Sequence, residues 1–260
     1  MSLDSLVSHA LARQRWISAG TLALVAGLAW AYLVSGIGAA PMPMQMGAMI
    51  MWEPWGAEDW LLTFVMWVVM MAAMMLPSVA PMVLLFVGLH QRQQTGGALG
   101  PTWSFLTGYL IVWTLFAAAA TTAQWGLHSA ALLSPMLAAT SPYLAAGLVL
   151  AAGAYQWTPL KRLCLARCRQ PLGFLMTEWR AGTGGALRMG LRHGLFCTGC
   201  CWALMALLFV GGVMNLLWVA LLSAYVLLEK VLPGGEILGR VAGAAMLAWG
   251  VWLATAGLHS

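Results

Sequence analysis

Charge is what this sequence lacks. Only 7% of its 260 residues are Asp, Glu, Lys or Arg, while 62% are hydrophobic. Ordinary soluble domains are roughly a quarter charged, so a soluble globular fold is excluded, and the uncharged stretches of about twenty residues have the length of transmembrane helices. Alternating apolar and polar segments of about ten residues, which an outer-membrane barrel requires, are also missing. What remains is an all-α, polytopic transmembrane helical bundle, because helices satisfy their own backbone hydrogen bonds in lipid. The chain carries no HExxH, no phosphate loop and no nucleophile triad, so hydrolase and ATPase readings have no residues to rest on. The net charge of +5 does not point to nucleic acid. Its basic residues lie in short loops between apolar runs, where they orient a protein whose partner is the lipid bilayer.

Arg13 and Arg15 precede an apolar run ending in Gly38, Ala39 and Ala40, which imitates a signal peptide. The run from Trp16 to Ile37 is longer than a typical h-region, and Pro41 would follow the cleavage site, so an uncleaved first helix is expected. Hydropathy predicts spans at about 16–37, 60–89, 103–125, 137–157, 194–210, 213–230 and 237–258. Seven spans require a hairpin at Gly211-Gly212. With the N-terminus cytoplasmic, that hairpin puts all 12 Lys and Arg on the inner side of a bacterial cytoplasmic membrane. A single domain over residues 1–260 is expected, with a Met-rich outer loop at 38–59 and a basic inner loop at 158–192. Trp52, Trp55, Trp60, Trp103, Trp125 and Trp157 fall near span ends, where indole prefers the interface.

Methionine and cysteine supply the chemistry. In the outer loop, PMPMQMGAMIMWEPW alternates Met42, Met44 and Met46. An extended or proline-stiffened chain turns every second side chain to one side, so three thioethers converge. Thioether is a soft neutral donor suited to Cu(I), although an interfacial segment dipping Met side chains into headgroups has the same composition. The second span repeats the theme with Met66, Met70 and Met74 four residues apart, and Met82 beyond them. Steps of four keep the sulfurs on one face, and Met66 to Met82 covers about 24 Å of helix, most of a hydrocarbon layer about 30 Å thick. Pro77 and Pro81 free backbone carbonyls beside this ladder. Plain packing of flexible Met side chains is the competing account.

The sharpest feature is His193-Gly-Leu-Phe-Cys197-Thr-Gly-Cys200-Cys201, expected at the cytoplasmic start of the fifth span. On a helix, His193, Cys197 and Cys201 share a face with Cys200 beside them. Imidazole with thiolates selects copper, zinc or an iron–sulfur centre, whereas small Cys and Gly also serve close helix approach. Cys164 and Cys168 form a further pair four residues apart, among Lys161, Arg162, Arg167 and Arg169, which favour thiolate over thiol. All five cysteines fall on the inner side, which fits free thiols in a reducing compartment. Glu229 beside Lys230 reads as an ion pair or a snorkelling pair at the inner surface.

MMAAMMLPSVAPM, GYLIVW, AGAYQWTPLKRLCLARCRQP and HGLFCTGCCWALMALLFVGGVMNL, within residues Trp60 to Leu258, resemble a bacterial family of metal-binding integral membrane proteins carrying a domain of unknown function. That resemblance implies a metal bound through Cys164, Cys168, His193, Cys197, Cys200, Cys201 and the Met70–Met75 group. Met-x-Met outside a span and Met-x-x-x-Met within it also resemble the methionine usage of eukaryotic copper importers. The function expected is Cu(I) handling: collection by Met42, Met44 and Met46, passage along Met66, Met70, Met74 and Met82, and receipt by His193, Cys197, Cys200 and Cys201. A periplasmic donor or cytoplasmic acceptor protein would be the partner. The alternative is a membrane enzyme or redox component with zinc, an iron–sulfur centre or a dithiol at the Cys/His cluster.

Overall fold

A computed structural model describes residues 3–35, 55–93, 98–134 and 137–257. The Met42, Met44 and Met46 group lies outside these described residues. Within them the chain forms helices α1 (Leu3–Val34), α2 (Ala57–Gln93), α3 (Leu99–Ser129), α4 (Pro142–Tyr155), α5 (Pro159–Arg169), α6 (Pro171–Glu178), α7 (Gly182–Ala206), α8 (Leu208–Gly211), α9 (Leu216–Val231) and α10 (Gly235–Ala256). The fold is all-α, with no strand among the described residues.

Among the described residues, five segments are long and apolar enough to cross a membrane: Trp16–Val34, Ala57–Gln91, Leu99–Ser129, Gly182–Gly211 and Gly235–Ala256. The other two expected spans correspond to α4 and α9, of 14 and 16 residues. At 1.5 Å per residue these reach only about 21 and 24 Å, short of a hydrocarbon layer about 30 Å thick. The break at Gly211-Gly212 is present: Gly212 takes φ 90°, a conformation glycine adopts without penalty, and Asn215 caps α9 by accepting from the Trp218 backbone N–H at 3.2 Å. Leu24, Leu115, Leu163, Leu195, Leu217, Val241 and Trp252 are exposed on the outer surfaces of the helices. So much apolar surface suits lipid contact and would aggregate in water.

Glycines set which helices lie closest. α3 and α7 form the tightest pair, where a Cβ on Gly190 would strike the Phe105 carbonyl and one on Gly194 would meet Val112 Cβ at 2.9 Å. α4 and α10 pack similarly, with Gly153 facing Gly243. Backbones of membrane helices approach through such small residues, since lipid offers no hydrophobic drive for their association. In α2, Pro77 has no N–H to give the Ala73 carbonyl, and Trp30 Nε1 of α1 donates to that carbonyl instead at 3.1 Å. Trp67 of α2 donates to Gln124 of α3 at 2.7 Å in the buried interior.

The expected inner loop is largely helical. α5 and α6 fill it, each begun by a proline at its first turn, and α7 begins at Gly182, well before the expected start at 194. The prolines that hydropathy reads as loop residues are helix starters, because a first-turn N–H has no intrahelical partner to lose.

Candidate metal centre

Because α7 starts early, Cys197, Cys200 and Cys201 sit in its middle rather than at its start. Spacings of three and four residues put the three thiols on one face, and all are buried. Cys200 and Cys201 each donate S–H to the Cys197 carbonyl at 3.0 Å. Their side chains, with that of Cys168 from α5, also lie close enough to the Cys197 sulfur to interact with it. Cys168 lies beside Cys200 as well. Four sulfurs from two helices therefore meet. Cys164 lies one helical turn away on α5, against Gly199, where a Cβ would come 2.8 Å from its sulfur.

Two further groups close on Cys197. Lys230 Nζ of α9 donates to its Sγ at 3.0 Å, and the Tyr109 hydroxyl of α3 lies 3.1 Å away. Lys230 also donates to Ser78 Oγ at 3.1 Å, and Ser78 donates to the Met75 carbonyl at 2.9 Å with its Oγ 4.0 Å from the Met75 sulfur. Tyr109 OH is 3.3 Å from that same carbonyl. The thiol group thus abuts α2 at Met75 and Ser78.

The methionines of α2 face inward. Met66, Met70, Met71, Met74, Met75 and Met82 are all buried in the common core. Met66, Met70 and Met74 lead toward the level of the thiols, whereas Met82 lies beyond it, about 10 Å of helix rise past Met75. His193 stands one turn before Cys197 in a box of aromatic rings, with centroids of Phe174 at 5.3 Å, Tyr109 at 5.9 Å and Phe105 at 6.1 Å. Its Nδ1 is buried without a hydrogen-bond partner.

Two basic residues of α5 are held by acceptors other than its cysteines. Lys161 points to Glu229 at 2.7 Å, and Arg169 donates to the carbonyls of Leu232 and Pro233, each at 2.6 Å. Burial pushes the Cys164 thiol up from its ordinary range, and hydrogen bonds to Cys197 and Cys200 hold the Cys168 proton and push that thiol well up. Both shifts run against the thiolate expected from neighbouring charge, and Lys161 and Arg169 are held by other acceptors.

Beside the thiols lies a second polar cluster. Lys161 and Glu229 form an ion pair at side-chain exposures of 2% and 1%, with Gln156 also accepting from Lys161 Nζ and Tyr225 OH donating to Glu229 Oε1 at 3.3 Å. Sequence reasoning does not single out Tyr109 or Ser78, and it reads Lys230 only as a partner of Glu229. Their available signal is polarity inside apolar runs, which in lipid marks interior contacts.

Among the described residues, no three His, Cys, Asp or Glu side chains stand as a ready-made metal cage. Two of the thiols bond to the Cys197 carbonyl instead. The donor set is nonetheless soft, buried and sulfur-rich, the chemistry that suits Cu(I). Residues 64–253 match the PpoB2 family, described as copper chaperone. The chain belongs to that family. The match takes in the thiol centre, the α2 methionines from Met66 onward and the Lys161–Glu229 pair, so the family assignment supports an association with copper. No curated protein and no solved structure matches the chain.

Proposed function

We propose that this protein handles Cu(I) as cargo within a bacterial cytoplasmic membrane, taking it through the methionine core of α2 and passing it to the thiols of α5 and α7. The observation that carries this reading is the junction at Met75: Ser78, bonded to it, accepts from Lys230, Tyr109 reaches its carbonyl, and Lys230 and Tyr109 both contact Cys197. Thioethers hold Cu(I) as neutral donors, and thiolates hold it more tightly, so the order Met66, Met70, Met74, then Cys197, Cys200, Cys201 and Cys168 gives a downhill transfer without a nucleotide. His193 and Cys164 flank the receiving sulfurs. Met42, Met44 and Met46 would collect the ion outside, with the N-terminus cytoplasmic and seven spans. Met82, past the thiols, stands outside this downhill order.

In this scheme the chain's own groups exclude water and position sulfur. Tyr109 and Lys230 fix the Cys197 side chain, and bonds to the Cys197 carbonyl keep Cys200 and Cys201 within reach of it. An incoming Cu(I) replaces S–H and N–H donors at sulfur, and the displaced thiol protons leave to solvent.

The test is anaerobic purification of the full chain with metal analysis and Cu(I) competition against a chromophoric chelator. Stoichiometric, colourless Cu(I) lost on combined Cys197→Ser and Cys201→Ser substitution supports the proposal. A visible chromophore instead favours the redox or iron–sulfur alternative, and tightly held zinc that copper does not displace counts against the methionine route.

A further inference from the structure

Lys230 is a cation buried against sulfur. It is 7% exposed, and its hydrogen-bond partners are Ser78 Oγ and Cys197 Sγ. The two ion pairs among the described residues, Lys161–Glu229 and Arg192–Glu178, do not include it. Glu229, next to it in the chain, is turned toward Lys161. A buried ammonium is costly unless its donors find acceptors, and here those acceptors are Ser78 Oγ at 3.1 Å and the sulfur of Cys197 at 3.0 Å. The receiving sulfurs therefore work in the field of a positive charge that the protein itself supplies.

We propose that Lys230 is a specificity-determining residue of the thiol centre, its fixed charge admitting a soft monovalent cation and rejecting a soft divalent one. This rests on the copper reading above and deepens it. Softness alone does not separate Cu(I) from Zn(II) or Cd(II), since thiolates bind all of them. Charge does. Coulomb repulsion scales with the charge of the ion, so a neighbouring ammonium penalises a divalent ion twice as heavily as a monovalent one at the same sulfurs. Burial strengthens the effect, because little solvent screens it. Ser78 gives the ammonium a second holding point, so an ion at Cys197 takes one of its two contacts without expelling it.

The test uses Ag(I) and Cd(II), two thiophilic ions of different charge, in equilibrium competition on the full-length protein in detergent without oxygen. The parent should prefer Ag(I). Lys230→Met and Lys230→Gln should each raise the Cd(II)-to-Ag(I) affinity ratio by about tenfold or more, the factor expected from removing one nearby unit charge in a poorly screened site. Lys230→Arg should keep the parent ratio. Reading a ratio within each variant cancels any general loss of affinity, and the Gln variant keeps donors for Ser78 and Cys197 if the Met variant folds poorly. An unchanged ratio in both neutral variants overturns the role of Lys230, as does an equal rise in the Arg variant. A parent that binds neither Ag(I) nor Cu(I) removes the copper reading itself, which is a different result from a parent that binds Ag(I) with variants that discriminate as it does.

Discussion

Removing the charge of Lys161 should destabilise the protein far more than removing it together with the charge of Glu229. The Glu229 carboxylate is fully buried, receives Lys161 Nζ at 2.7 Å and Tyr225 OH at 3.3 Å on Oε1, and has no partner on Oε2. Lys161→Met leaves that carboxylate held by Tyr225 alone. Stranding one partner of a buried pair costs about 3–5 kcal/mol, whereas replacing both partners by neutral groups is often close to neutral. At roughly 2–4 °C per kcal/mol for a chain of this size, the single variant should melt on the order of 10 °C below the parent. The double variant, Lys161→Met with Glu229→Gln, should recover most of that loss, because the neutral amide still offers a carbonyl acceptor to Tyr225. The assay is thermal unfolding of parent, both singles and the double in one detergent. If the two single losses simply add in the double, the pair is not coupled and the geometry at Glu229 is misread. Copper binding supplies a second readout, since Lys161 ties α5, and with it Cys168, to α9. The single variant should hold less Cu(I) than the double at a temperature where both are folded.

Replacing Met70 and Met74 together by Leu conserves volume and should cost under roughly 1.5 kcal/mol per site; cellular copper accumulation should fall while Cu(I) reloaded at Cys197, Cys200 and Cys201 in purified protein stays normal, and unchanged accumulation would assign these methionines to packing alone. In metal-free protein, a maleimide should modify half-buried Cys168 slowly at neutral pH and faster only as pH rises beyond the ordinary thiol value of 9.0, since its raised pKa keeps it protonated through that range; rapid labelling at neutral pH would contradict the hydrogen bonds assigned to it. Gly190→Ala should destabilise by at least about 1–3 kcal/mol through overpacking against the Phe105 backbone, whereas Gly147→Ala, where a Cβ meets nothing within 4 Å, should be neutral or mildly stabilising in the same melts. A reporter fused after Ser260 should read periplasmic and one within residues 183–187 cytoplasmic; a cytoplasmic C-terminus would remove the seven-span arrangement.

Much of the architecture is legible because the relevant physics is one-dimensional. Apolar length and scarce charge identify α1, α2, α3, α7 and α10, and Gly211-Gly212 identifies the turn before α9. The start of α7 is not legible in the same way. Thr183 to Arg192 is too polar for a hydropathy window, yet it is helical because Gly108 and Gly190 bring its backbone against α3. Tertiary packing there overrides composition. The methionine stripe is readable as a stripe, but a helix apolar on every side does not declare which face is inward. Contacts of Trp30, Gln124 and Tyr109 with α2 settle that.

The thiol centre divides along the same line. Cys197, Cys200 and Cys201 are neighbours by helical spacing alone. Bringing Cys168 to them depends on α5 folding back across α7, which no local spacing encodes. Glu229 and Lys230 show why adjacency in sequence misleads. Read as a chain they are an ion pair, but successive residues on a helix point about 100° apart and do not face each other. Each therefore reaches a different helix: Glu229 binds the lysine of α5, and Lys230 binds the cysteine of α7. The carboxylate that would have neutralised Lys230 is taken by Lys161, and the positive charge left over falls on the sulfur. One turn at the end of α9 thus fixes both cysteine-bearing helices and sets the charge in which their thiols operate. A variant that exchanges the two residues, Glu229→Lys with Lys230→Glu, would keep composition and adjacency while placing a cation against Lys161 and an anion against Cys197. It should lose both stability and metal binding, an outcome that a snorkelling pair at the surface would not produce.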